Sequence, residues 1–153
     1  MDLGYGLSFE EYDPNNIRHI SLVRILDNDP KVKEVFFSLE NYIYNIIDNE
    51  DKNITDKVYV VTGYSENIGL IMSKMYGNKL HISYALSPKF RGESFSAYML
   101  DTYSDYLFRT YPKLDKVYVQ INPQNKASKV VAAKVGFVKE SVIDYSLDNY
   151  YKK

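Results

Sequence analysis

A chain of 153 residues is long enough to bury one ordinary core, and 45% hydrophobic with 25% charged residues is a globular balance that excludes a largely disordered polymer. With no cysteine and two histidines, a disulfide framework, a thiolate zinc site, a cysteine nucleophile and a histidine-rich metal centre are set aside. A net charge of −1 argues against nucleic-acid binding, no run approaches the roughly 18 apolar residues of a membrane helix, and the acidic start at Asp2, Glu10, Glu11 and Asp13 lacks a signal-peptide layout, so the expected compartment is cytoplasmic.

In chain order, residues 7–12 alternate as a first strand and close on the turn cluster Asp13-Pro14-Asn15-Asn16. A short helix is read over 17–26. Asp29 and Pro30 then open a longer one, because Val32, Val35, Phe36, Leu39, Ile43, Ile46 and Ile47 recur at intervals of three and four. That spacing predicts a single helix through residue 47. Residues 48–57 are polar and read as a loop. The period then changes: 57–64, 68–76 and 79–86 are β-branched or aromatic runs, with Tyr76-Gly77-Asn78-Lys79 as a hairpin turn.

Residues 87–93 form a loop into a helix running from Ser94 to Tyr111. Its predicted buried line is Leu100, Tyr103, Leu107 and Tyr111, with Asp101, Asp105 and Arg109 on the opposite face. Residues 116–121 read as a strand. Asn125 then caps a helix over 126–135, with Ala127, Val130 and Val131 facing inward and Gly136 as the exit. Residues 138–151 read as one irregular strand. The elements belong to a single domain spanning residues 1–153.

Charge is uneven along the chain. Residues 1–57 hold 12 acids and 6 bases, and residues 58–153 hold 8 acids and 13 bases. The split reads two ways: opposite walls of one site for an anionic cofactor and a cationic substrate, or drift of surface charge. The stretch from Pro88 to Ser96 is similarly open. Arg91 offers charge, Gly92 allows close backbone approach, and Ser94 and Ser96 carry hydroxyls at a helix start, which suits a phosphate. The same residues also describe an ordinary loop with a serine cap.

The order of elements and two motifs resemble the GNAT superfamily of acyl-CoA N-acyltransferases, well over residues 57–140 and by element order alone before that. The run Leu86-Ser87-Pro88-Lys89-Phe90-Arg91-Gly92-Glu93-Ser94-Phe95-Ser96 is similar to the family's pyrophosphate loop, usually Q/R-x-x-G-x-G/A. Asn125, Ser128, Lys134 and Gly136-Phe137 match its second motif. The resemblance implies an α/β fold with a mixed, mainly antiparallel central sheet, helices on both faces and acetyl-CoA in a cleft between splayed strands. It also implies a cofactor-binding set. Ala85 and Leu86 would pair with the pantetheine arm through their backbone; Arg91, Gly92, Glu93, Ser94, Phe95 and Ser96 would hold the pyrophosphate; Asn125 would hydrogen-bond the pantetheine. Lys129 or Lys134 would meet the 3′-phosphate, unless both are plain helix surface.

Departures from the family pattern are equally specific. Ser94 and Ser96 stand where glycine or alanine is usual. Ala132 replaces the tyrosine that often protonates the leaving thiolate, and Gln120 replaces a frequent glutamate base; an amide cannot take that proton. Aminolysis of a thioester still requires a neutral amine and a proton path, and Tyr84, His81 or Glu66 through water are the remaining candidates. Tyr84 is placed at the reacting centre, with core packing as its other reading, and the thiolate would take its proton from solvent, Ser128 or a tyrosine. His81 is expected as an exposed residue at a strand start. The implied function is acetyl transfer to an amine-bearing acceptor, peptide or small molecule, by direct attack. The pattern is closest to the branch containing ribosomal-protein N-terminal acetyltransferases. The alternative is a catalytically weakened module that binds acyl-CoA or a protein partner. An unpaired C-terminal edge with exposed Tyr145, Tyr150 and Tyr151 suggests a homodimer.

Overall fold

A computed structural model describes residues 2–4, 7–140 and 148–153. The chain divides into two compact units, one of Met1–Lys74 with Tyr84–Phe90 and one of Met75–Ser83 with Arg91–Lys153. Strands and helices mix in both, the strand pairing is mostly antiparallel, and five α-helices are present among the described residues.

In the first unit, β1 (Asp2–Gly4), β2 (Leu7–Glu11), β3 (Lys57–Gly63) and β4 (Glu66–Tyr76) pair antiparallel in that order. The turn from β3 to β4 holds Tyr64 and Ser65 at φ 52° and 62°, the left-handed pair that matches strand twist. Three helices precede β3: α1 (Ile17–Asp27), α2 (Pro30–Phe36) and α3 (Leu39–Ile47). On their inner faces Leu26, Leu39 and Ile46 are fully buried with Val60 of β3 and Leu70 and Met72 of β4.

The single helix predicted over residues 29–47 is two helices. Phe37 breaks it at φ 51°, a conformation a bulky side chain rarely takes. Two acceptors then start α3 afresh: Ser38 Oγ takes the Asn41 N–H at 3.2 Å, and Asp27 Oδ1 takes the Leu39 N–H at 2.7 Å. The apolar spacing runs unbroken across this gap, which is why it conceals the break. Val35, assigned to the buried face, is 65% exposed.

The second unit contains the start of β5 (Lys79–Leu86), α4 (Glu93–Thr110), β6 (Val117–Ile121), α5 (Lys126–Val135), β7 (Val138–Lys139) and β8 (Asp148–Lys152). The turn into β5 is the predicted one, with Gly77 at φ 62°. Within this unit β5 and β6 run parallel at His81 and Tyr118, and β8 pairs antiparallel with both β6 and β7. Leu100, Tyr103 and Leu107 of α4 are buried as predicted. The inward face of α5 is different from the predicted one: Ala127 and Val130 are exposed, and Val131, Ala132 and Val135 are buried.

Among the described residues the C-terminal segment holds two strands, and β8 has hydrogen-bonded neighbours on both sides. Tyr150 is consequently buried and Tyr151 half-buried, so β8 is not the unpaired edge expected; the two-residue β7 ends the strand order instead. Tyr145 lies outside the described residues.

Candidate active site

The basic loop enters α4 in steps. Phe90 N–H donates to Ser87 C=O at 2.9 Å and closes a 3-10 turn over Pro88–Phe90. Gly92 follows as the N-cap in extended backbone, and Ser96 N–H donates to its carbonyl at 3.0 Å as the first helical bond. No side chain caps α4 among the described residues. A Cβ built on Gly92 meets nothing within 4 Å, so the approach to this helix start is open. Arg91 is half-buried and Ser94 exposed, while Ser96 is buried; of the two serines, only Ser94 sits at the surface. Glu93 is the first helical residue and Phe95, half-buried, the third.

At α5, Asn125 Oδ1 accepts the Ser128 N–H at 3.1 Å. The two second-motif residues are thus joined in a cap, with Ser128 half-buried and one face of the Asn125 amide already engaged. Within this unit α4 packs on α5, which sets both motifs on neighbouring helices. Lys129 lies 3.9 Å from Asp148 Oδ2, so a carboxylate already accompanies it, whereas Lys134 is exposed. Gln120 is exposed and Ala132 buried at 1%; the position of the missing tyrosine faces packed interior.

In the first unit, Ala85 and Leu86 are buried and Tyr84 is half-buried. Opposite them on β4 stands Gly69, a residue that sequence reasoning passed over. A Cβ there would collide with Ala85 O and come within 2.8 Å of Leu86 Cδ2 and 2.9 Å of Leu86 Cα. A lone glycine inside a strand pattern is the signal that finds such a close backbone approach. Glu66, a candidate proton acceptor, is held by Lys89 Nζ at 2.6 Å, and Phe90 stacks on Tyr64 at 6.5 Å between ring centres.

A polar cavity of about 700 Å³ also lies in this unit, lined by Glu10, Asn16, Arg18, His19, Glu66 and Asn67 among others. His19 is 2% exposed, and its Nδ1 accepts the Asp13 N–H at 2.9 Å. That bond places the ring proton on Nε2, which faces Glu10 Oε2 at 3.6 Å. This environment is not legible in the sequence, because the partners come from a turn and from β2.

His81 belongs to the second unit and is buried, contrary to the exposed position expected for it. Tyr118 stacks on the ring at 5.5 Å and Tyr76 meets it edge-on at 5.3 Å. Burial pulls its pKa down to about 4, the Lys79 charge adds to the drop, and Glu140 opposes it. The imidazole is neutral at pH 7, and its buried Nδ1 has no hydrogen-bond partner among the described residues.

Solved structures share the fold. Spermidine N-acetyltransferase from Vibrio cholerae, crystallised with CoA and spermine, superposes with a TM-score of 0.71 at 20% identity, over 96% of this chain and 95% of that one. The Campylobacter jejuni N-acetyltransferase PseH in complex with acetyl coenzyme A gives 0.70 at 14%, over 96% and 98%. The Salmonella typhimurium acetyl transferase that modifies the N-terminal serine of ribosomal protein L7/L12 gives 0.70 at 15%, over 99% and 96%. The ribosomal-protein branch is therefore one of several at similar distance. No curated protein matches the chain in sequence. The acetyltransferase (GNAT) domain family matches residues 13–138, most of the chain, and on that match the chain belongs to the GNAT acetyltransferase family.

Proposed function

We propose that this protein is an acetyl-CoA-dependent N-acetyltransferase of the cytoplasm, a single catalytic domain that passes the acetyl group to a primary amine within a ternary complex. The observation that carries the reading is the start of α4, an uncapped N-terminus entered through Arg91 and an open Gly92. A helix end of this kind presents backbone donors and positive potential to a phosphate. The family resemblance assigns residues 91–96 to the pyrophosphate of acetyl-CoA, and Ala85, Leu86 and the Asn125 amide to the pantetheine arm. Acetyl-CoA supplies an activated thioester carbonyl. The amine nitrogen attacks that carbon, the carbon–sulfur bond breaks, and the amine proton leaves through water.

In this proposal the residues named for proton transfer remain Tyr84 and Ser128. Tyr84 would act through an ordered water and Ser128 at the departing thiolate. Glu66 is less suited, since Lys89 already neutralises it. His81 is set aside by its buried, aromatic surroundings. The acceptor class is an amine of a peptide or small molecule; the solved relatives act on both kinds by their names.

A second reading has its own support: Ala132 is sealed in the interior and Gln120 cannot act as a base. These favour a catalytically weakened module that binds acyl-CoA or a protein partner. One experiment separates the readings. Acetyl-CoA is titrated while melting temperature is followed, and thiol release is then measured with a panel of peptides and polyamines. Stabilisation with thiol release supports the transferase; stabilisation without release supports the binding module; no stabilisation at millimolar acetyl-CoA rejects both acyl-CoA readings. Sedimentation at micromolar concentration tests the accompanying expectation of a homodimer.

A further inference from the structure

Gly69 lies within β4, buried, opposite Val61 where the register between β3 and β4 shifts. It is not at a frayed end. Ser87 N–H donates to Ile68 C=O at 2.9 Å, so β5 is still tied to β4 beyond the glycine. Between these fixed points the chain of Ala85 and Leu86 occupies the space a side chain at residue 69 would need. The colliding atoms include a carbonyl oxygen and an α-carbon, which cannot swing aside as a side-chain tip can. Glycine elsewhere in the chain serves other ends: Gly77 and Gly136 turn the backbone at φ 62° and 94°, and Gly92 meets no neighbour. At residue 69 the requirement is close approach alone.

We propose that Gly69 is a positioning residue for the acyl-CoA arm, setting the backbone of Ala85 and Leu86 by leaving room for it. The inference rests on the reading above that these two residues carry the pantetheine. A methyl group at residue 69 pushes the β5 backbone away from β4 and misplaces the groups that hold the arm. The acceptor amine does not depend on this contact for its binding.

The test pairs Gly69→Ala with Ile71→Ala, a cavity-forming change at a fully buried residue two positions along the same strand. CoA affinity is read by calorimetry, and KM for acetyl-CoA and for the acceptor by steady-state kinetics. Gly69→Ala is expected to raise both the CoA Kd and the acetyl-CoA KM by about tenfold or more, with the acceptor KM within about twofold. Ile71→Ala should lower melting temperature and leave all three constants in place. Unchanged CoA affinity in folded Gly69→Ala overturns the assignment, as does an equal loss of affinity in Ile71→Ala, which would mark a general effect of destabilising the strand. If Gly69→Ala does not fold, Ala85→Gly loosens the same backbone without adding an atom. It should weaken CoA severalfold, and unaltered affinity there rejects the proposal. Failure of the unsubstituted protein to bind CoA at all would instead refute the functional reading on which the assignment rests.

Discussion

Helices α4 and α5 lie against one another in the second unit, and their first turns differ in one respect. The α5 turn is closed by its own Asn125 side chain, whereas α4 begins at Gly92 with no side-chain cap. The other three helices follow α5, using Asn16, Asp29 and Ser38. A side-chain cap contributes about 1 kcal/mol, so its omission on the longest helix is a local loss of stability. What the omission provides is a positive helix end that an outside anion can reach. On the proposed reading, one family motif is thereby left open toward ligand, while the other is capped by its own side chain.

The largest effect is expected from closing the open start. Gly92→Asp supplies a cap where a side chain has space, and it places a carboxylate where the pyrophosphate is proposed to sit. Acetyl-CoA affinity should fall by at least about tenfold through like-charge repulsion, while melting temperature holds or rises. A variant that gains stability with unaltered affinity would show that the open cap has no role in binding. Next in size, Arg91→Ala should weaken CoA by about tenfold at low salt, the gap narrowing as salt screens the interaction. Calorimetry at two ionic strengths checks it; equal affinities at low salt remove Arg91 from the site.

The closed start gives a contrasting result. Asn125→Ala should cost about 1 kcal/mol, a fall of about 2–4 °C for a chain of this size, whereas Asn125→Asp keeps the cap and most of the stability. If both variants lose CoA affinity alike while only the first loses stability, the Asn125 amide donor binds ligand in addition to capping. The smallest effect belongs to Ser94→Gly, which should alter acetyl-CoA affinity within about threefold, as expected of one exposed neutral hydroxyl. A much larger gain would identify Ser94 as an obstruction in the phosphate path.

Elements closed by local chemistry were legible in the sequence. The α5 bounds follow from Asn125 and Gly136, and β5 from the Gly77 turn, because cap and turn residues act within a few positions of where they stand. The break at Phe37 was not legible. It depends on Asp27, which is 12 residues from Leu39 in the chain and bonds to it only after α1 and α3 have come together. The burial of His81 has the same origin, since its stacking partner Tyr118 arrives from β6. The final strands were merged for want of their partner: β8 is defined by pairing with β6, and nothing near residue 148 announces it. At the proposed site, spacing pointed to the loop at 91–96 and to Asn125, of which the structure shows the Asn125 cap, but the close approach at Gly69 becomes visible only when two strands are brought side by side.

His81 gives the molecule an uneven response to acid. Its pKa stands at about 4 in the folded protein against an ordinary 6.5, so between those values the unfolded chain holds a proton that the native one refuses. Stability contributed by this residue is complete above pH 6.5 and drains away as pH falls toward 4. Unfolding at pH 5 must therefore take up nearly one proton at this ring. The heat of unfolding in that range should then vary with the ionisation enthalpy of the buffer. His81→Phe, which keeps an aromatic ring between Tyr76 and Tyr118, should reduce that dependence by close to one proton.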